Sequence, residues 1–230
     1  MARDPVGALF AEFGRLRRLE KVERELRKRG YRFVAGVDEV GRGALAGPVV
    51  AAAVILPDWC VLPALDDSKK LDADCRARLD VEIRRCAVAV GVGLVSAPDI
   101  DADDILRASL KAMRIAIESL QPRPDAILVD AVVVPGVRLP QLPIVHGDAL
   151  SASIAAASVV AKVYRDRLLD RIAVSHPAYG FERHKGYGTV EHWEALRVAG
   201  PCPEHRLSYH GVVLDPAGLT DPRIRPAESE

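Results

Sequence analysis

Charge of one sign is what this sequence most clearly lacks. Its 230 residues carry 32 Lys and Arg against 32 Asp and Glu, so the formal net charge is zero. A basic field over the whole surface is thereby excluded, and any contact with nucleic acid must come from a local basic patch beside an acidic site. Long apolar runs are also missing: the longest, Pro48 to Pro57, is too short to cross a bilayer. The N-terminal segment, with Arg15, Arg17, Arg18, Glu20 and Lys21, has no apolar stretch of the kind a secretion signal needs. Paired metal-binding cysteines are absent. Cys60, Cys75, Cys86 and Cys202 form no C-x-x-C pair and have no histidine cluster beside them, which argues against zinc. The expectation is a cytoplasmic protein with free thiols and no membrane partner.

What is present is enough for a core. With 49% hydrophobic residues, a chain of this length can bury roughly 70% of its unfolded surface without a disulfide or structural metal. Residues Val6 to Arg29 show helical spacing (Leu9, Phe10, Phe13, Leu16, Leu19, Val22), which Gly30 ends. Arg32 to Val37 and Val49 to Leu56 read as strands joined by a Gly-rich segment too short for a crossover helix, so they should pair antiparallel. A helix follows from Ala73 to Cys86 with Asp72 as N-cap, then a strand from Val88 to Val95. Helical spacing runs from Ser96 to Leu120 through Leu106, Leu110, Met113 and Ile117. Ala126 to Val129 and Leu142 to Val145 read as short buried strands. Ala149 to Ile172 and Val190 to Ala199 read as helices, and a Pro-rich tail starts at Pro216. Alternating strands and helices with an antiparallel opening hairpin predict an α/β fold on a mixed sheet, with a small helical part at the C-terminus.

Acids recur at the ends of these elements. Asp38 and Glu39 close the first apolar strand, where side-chain alternation sends neighbours to opposite faces unless the strand bends or ends. Asp130 follows Ala126 to Val129, at the strand end where open α/β sheets carry functional groups. Asp148 precedes the alanine-rich helix, where helix capping alone also accounts for it. Carboxylates suit Mg²⁺ or Mn²⁺, and two such ions about 3.5–4 Å apart form the clamp of phosphodiester hydrolysis. Gly41-x-Gly43-x-x-Ala46 meets the loosest dinucleotide-binding pattern, but a strand follows it instead of a helix, and the adjacent acids would repel phosphate.

Asp38-Glu39-Val40-Gly41-Arg42-Gly43 with Ala46-Gly47-Pro48-Val49 resembles the signature of type 2 ribonuclease H. The resemblance continues through Asp67-Ser68-Lys69-Lys70-Leu71, Val129-Asp130, Gly147-Asp148, and Ile154 to Asp166. It also takes in His184-Lys185-Gly186-Tyr187-Gly188-Thr189 and Gly200 to Arg206. These blocks stand in the family's order from about Phe33 to Val213. The resemblance implies an RNase H-like fold whose four carboxylates, here Asp38, Glu39, Asp130 and Asp148, surround two Mn²⁺ or Mg²⁺ ions. It implies an endonuclease cutting 5′ to ribonucleotides in RNA/DNA hybrids and at single ribonucleotides within duplex DNA, leaving 3′-hydroxyl and 5′-phosphate ends. Gly41, Arg42 and Gly43 would read the ribose 2′-hydroxyl through backbone groups, and Tyr187 would contact the sugar at the RNA–DNA junction. Ser68 and Lys69 would lie near phosphates, with His184 and Lys185 flanking Tyr187.

One departure stands out: the family follows its third acid with glycine, whereas this chain has Asp130-Ala131. If that position needs positive φ, alanine costs about 1 kcal/mol there. The type 3 enzyme is a rival, but it carries a sizeable N-terminal domain and usually a glutamate as fourth acid. A non-catalytic hybrid-binding module is another, and it would have lost a carboxylate. The expected organisation is an N-terminal helical extension over 1–31, a catalytic domain over 32–214 and a flexible tail over 215–230, working as a monomer. Ala155, Ala156 and Ala157 are assigned to helix–sheet packing, Lys162 and Arg165 to a solvated face or phosphate contacts, and Trp59 and Trp193 to packing.

Overall fold

The computed structural model describes residues 5–58 and 60–213, so Trp59 and the Pro-rich tail lie outside the described residues. A five-stranded sheet has the order β3-β2-β1-β4-β5, formed by Val34–Val40 (β1), Val49–Ile55 (β2), Ala89–Val95 (β3), Ala126–Asp130 (β4) and Gln141–Ile144 (β5). β1, β2 and β3 pair antiparallel, and β4 and β5 add on parallel to β1, the mixed pattern expected. β1 and β2 are almost wholly buried because helices cover both faces of the sheet. Helix α6 (Ala152–Ser175) lies on one face and α5 (Ile105–Glu118) on the other. β5 departs from the expected buried strand: as an edge strand it leaves Leu142 44% exposed.

Small residues set the separation of these layers. Ala155, Ala156 and Ala157 are fully buried against β2, as the packing assignment required. At Gly36 a Cβ would stand 2.0 Å from the Ser153 carbonyl carbon, so β1 and α6 touch backbone to backbone. A larger residue at Gly36 would push the layers apart, and overpacking of this kind typically costs about 1–3 kcal/mol.

Two expected helices are each two helices. The N-terminal one divides into α1 (Pro5–Leu19) and α2 (Lys21–Lys28), because the two halves serve different clusters. Leu16 and Leu19 pack under the α6 face, Val22 and Leu26 pack beside Val34, Leu128 and Ile154, and the backbone turns between them at Glu20. Leu9, Phe10 and Phe13 are exposed, so only the end of that apolar stripe reaches the core. The 96–120 stretch divides into α4 (Ala97–Asp101), capped by Ser96, and α5, capped by Asp104, whose extended backbone restarts the chain. Helix α3 (Ala73–Cys86) has the expected bounds, with Asp72 accepting from the Cys75 amide.

From α2, Glu23 reaches the buried N-terminus of α6, where Oε1 accepts from Ser151 Oγ at 2.6 Å and from the Ser153 amide at 2.8 Å. Acids at this end of a helix are stabilised by the unpaired amides and the macrodipole. The expectation of free thiols is corrected for one pair: Cys60 and Cys86 form a disulfide joining the loop after β2 to the end of α3, while Cys75 and Cys202 are free. Spacing alone gave no hint of it, because the two meet only once α3 has folded back on the loop. A small C-terminal part, α7 (Phe181–His184) and α8 (Val190–Ala199), packs beside α6. Among the described residues no helix is long and apolar enough to cross a membrane.

Candidate active site

The alternation of β1 decides where its acids point. Val34 and Gly36 meet α6, and Ala35 and Val37 meet α5, so Asp38 faces α6 and Glu39 the other side. Both residues lie inside β1, two and one residues short of its end; the strand is longer than the sequence pattern suggested because Val40 still pairs with Val50. Asp38 is 7% exposed and bonded to Ser158 of α6. Ser158 Oγ is also 2.9 Å from Ser68 Oγ. With the Ser158 proton given to Asp38, Ser68 is the donor to Ser158, so Ser68 is a buried support of the acid.

Asp130 comes alongside because β4 runs parallel to β1, with Val129 opposite Val37. Its Oδ1 accepts from the Gly147 amide at 2.8 Å. That bond draws the 3₁₀ turn Gly147–Ala149 and its Asp148 toward the strand ends. Asp148 is not the cap of α6, a role that falls to Ser151, three residues on. The left-handed His146 (φ 57°) turns the chain so that Asp148 points inward.

Electrostatics binds the four acids into one group. Burial and then the Glu39 charge push the Asp38 carboxyl up to about 8, with Asp130 adding to the shift. Burial raises Glu39, with Asp130 again adding and Arg42, 3.4 Å away, opposing. Burial raises Asp148, followed by Asp67 and Asp130, against Lys69 at 3.9 Å. Asp130 thus acts on all three of the others. Hard oxygen donors crowded at strand ends, with Arg42 and Lys69 alone in ion-pair reach among the described residues, suit divalent cations. Among the described residues no three His, Cys, Asp or Glu side chains form a ready-made cage. The donor set therefore fits ions that take one or two carboxylates each and fill the rest of their shell with water and phosphate.

Two buried arginines shape the rim. Arg165 of α6 is fully buried and donates to the carbonyls of Pro48 (3.0 Å), Ala46 (3.0 Å) and Lys185 (2.8 Å). This corrects the expectation of a solvated or phosphate-touching residue; the physical reason is that its helix face turns under the 41–48 loop. Arg206 holds the Gly47 carbonyl from two nitrogens and the Arg42 carbonyl from a third. Gly41 (φ 95°) has no room for a side chain, since a Cβ would come 2.3 Å from Arg165 Nε, whereas the space above Gly43 is open. The loop meets the Tyr187 segment through an Ala44–Tyr187 bridge and the Leu45 amide, which donates to the Gly186 carbonyl. The half-buried Tyr187 ring lies over Arg165 and Lys162.

The remaining candidates divide. Lys69 is exposed and reaches Asp148. His184 is buried, its Nε2 on the Tyr179 carbonyl and its Nδ1 accepting from Gly186, while Lys185 pairs with Asp170. Trp193 packs against Gly188 and Gly211, in keeping with its packing assignment. Residue-by-residue reasoning missed Ser158, Asp67 and the buried arginines. Arg165 was signalled by its spacing: it stands on the same helical stripe as Ser158 and Leu169, both buried.

The profile of the family described as Ribonuclease HII matches residues 35–212. The chain belongs to the ribonuclease HII family. Ribonuclease HII of Geobacillus kaustophilus is 51% identical over 221 residues, covering 91% of this chain and 85% of that protein. Ribonuclease HII of Syntrophotalea carbinolica is 50% identical over 190 residues, covering 83% and 91%. The ribonuclease H2 structure from Pyrococcus horikoshii superposes with a TM-score of 0.66 at 25% identity, covering 78% of this chain and 94% of that one. A type 3 structure, Bst-RNase HIII in complex with Mn²⁺, gives 0.60 at 18% identity over 80% and 68%, a likeness of fold. Membership makes the chain a metal-dependent endoribonuclease of the ribonuclease HII type and decides against type 3.

Proposed function

We propose that the chain hydrolyses the phosphodiester 5′ to ribonucleotides, both in RNA/DNA hybrids and at single ribonucleotides embedded in duplex DNA, leaving 3′-hydroxyl and 5′-phosphate ends. Asp38, Glu39, Asp130 and Asp148 would hold two divalent ions, Mn²⁺ or Mg²⁺. When bound, such ions supply water activation and neutralise charge at the reacting phosphate. The observation that carries this reading is the single electrostatic group formed around Asp130.

The chain's own residues do the rest. Ser158, backed by Ser68, fixes the Asp38 carboxylate, and the Gly147 amide fixes Asp130. Gly41, Arg42 and Gly43 offer backbone groups to the ribose 2′-hydroxyl, and the open space above Gly43 leaves that backbone approachable. Tyr187 sets the neighbouring sugar, and Lys69 stands on the rim as a phosphate contact. His184 and Lys185 take part by holding the Tyr187 segment in place. The reading includes a cytoplasmic monomer with a catalytic domain over 32–214 and an N-terminal extension over 1–31; the tail over 215–230 lies outside the described residues.

The test is Asp130→Asn on a duplex with one embedded ribonucleotide, with cleavage and binding measured side by side in Mg²⁺ and in Mn²⁺. The amide keeps shape and loses charge, so hydrolysis should vanish while binding persists. Cleavage within about tenfold of wild type, on the scale of single-group contributions, sinks the assignment. Binding without cleavage by the unmutated chain points to a hybrid-binding module instead.

A further inference from the structure

Beneath the rim, outside the acidic group, lies a chain of imidazoles. His205 Nδ1 accepts from the Cys202 amide at 2.9 Å and lies 3.1 Å from Cys202 Sγ. His205 Nε2 faces His192 Nε2 at 3.0 Å, and His192 Nδ1 stands 2.9 Å from the Tyr187 carbonyl. Both rings are buried.

These contacts allow one arrangement of protons. An amide can only donate, so His205 Nδ1 is bare and its proton sits on Nε2. A carbonyl can only accept, so His192 Nδ1 carries a proton and, in a neutral ring, its Nε2 is bare. The facing nitrogens are then donor and acceptor, from His205 to His192. A proton added to either ring sets two N–H groups against each other or against the Cys202 amide.

The chain spans both halves of the rim. His205 forms a bridge with Ala46, and the Glu204 carbonyl accepts from the Gly47 amide, so one end is fixed to the Gly41–Gly43 loop. The other end is fixed to Tyr187. We propose that His192 and His205 are positioning residues whose paired neutral tautomers set the register of Tyr187 against the Gly41–Gly43 loop. This rests on the sugar-contacting role given to Tyr187 above.

The surroundings favour that neutral state. His184 stacks on His192 at 4.3 Å, Phe181 meets both rings edge-on or tilted, and Tyr179 lies 4.8 Å from His205. The charged forms of His184 and His176 would oppose protonation of the pair, as burial does. Cys202, its thiol pushed up by burial, stays uncharged at the far end.

Long-range proton–nitrogen NMR of ¹⁵N-histidine-labelled protein reads the tautomers without substrate. The expected result is His205 protonated at Nε2 and His192 at Nδ1, both unchanged from about pH 8 to about pH 5.5, where free histidine would titrate. In cleavage assays His192→Leu should lower kcat roughly tenfold to a hundredfold, as misplaced reactants do, with KM nearly constant. His192→Asn, whose amide can still donate to the Tyr187 carbonyl, should recover most of that loss. His205→Gln, which keeps the donor toward His192, should fall between. A charged imidazole or the opposite tautomers at neutral pH overturn the proposal, as does wild-type kcat in His192→Leu at unchanged Tm. If His192→Leu does not fold, the spectra and His205→Gln still decide. Correct tautomers with a wild-type Tyr187→Ala would instead sink the sugar-contact reading alone.

Discussion

Arg165 lies beneath Tyr187, its guanidinium carbon 5.3 Å from the ring centroid, and from that position bonds the carbonyls of both rim segments. None of these contacts is to a carboxylate, and burial pulls its pKa down to about 10 against the opposing influence of Tyr187 and Asp166. Arg165→Lys keeps the charge but cannot match three separated acceptors. With two buried carbonyls left unpaired at about 1–3 kcal/mol each, the loss should be about 2–6 kcal/mol by chemical denaturation. Near wild-type stability would show that the rim is held without the clamp.

Asp38 makes a prediction of opposite sign. Its folded value of about 8 stands above the ordinary value of about 4, so between those limits the folded chain binds more protons than the unfolded one. Metal-free stability should therefore fall as pH rises from about 4 to about 8. Asp38→Asn stays neutral and should escape that fall. In EDTA its Tm should exceed that of wild type, with the gap widening toward pH 8, while cleavage is lost. A variant less stable than wild type at pH 8 would mean that Ser158 stabilises the carboxylate more than burial and like charge oppose it.

Ala131 has φ 57°, the conformation for which the family's glycine is suited, and its side chain is exposed. Left-handed alanine costs roughly 1–2 kcal/mol, and glycine returns roughly 0.5–1 of that as unfolded-state entropy. Ala131→Gly should leave Tm unchanged or raise it, by less than about 1 kcal/mol, with cleavage retained. A loss of several kcal/mol would show an unrecognised packing role.

The imidazole pair predicts acid sensitivity. Burial holds His192 and His205 down to about 4, against about 6.5 in an unfolded chain. Between those values the unfolded state binds more protons, so their contribution is complete above about pH 6.5 and is lost as pH falls to about 4. Thermal melts across that window should show a steeper fall in wild type than in His192→Asn; equal slopes would count against buried neutral rings.

Much of this was legible in the sequence because strand ends and caps are local. Asp38, Glu39 and Asp130 follow from apolar runs that stop, and α3 and α8 from a capped periodicity. The division at Glu20 was not legible, since the apolar spacing runs on unbroken and only the placement of two separate clusters shows the turn. The restart at Asp104 was, in principle, since an aspartate before a new apolar stripe is a cap signal. The partners of Arg165 and Ser158 and the Cys60–Cys86 pair depend on contacts across 117, 90 and 26 residues, so helical spacing could mark Arg165 as buried but not what it bonds.

Glu23 has a consequence for where this molecule ends. The family profile begins at residue 35, yet the carboxylate that accepts from the α6 cap Ser151 and from the Ser153 amide is supplied from residue 23. Shortening the chain to the family's common boundary would expose the amides of α6 and strip Val22 and Leu26 from Ile154, on the turn of helix that leads to Ser158. In this chain, then, the contacts that hold the start of α6 begin upstream of the shared motif set, with Val22, Glu23 and Leu26 of α2.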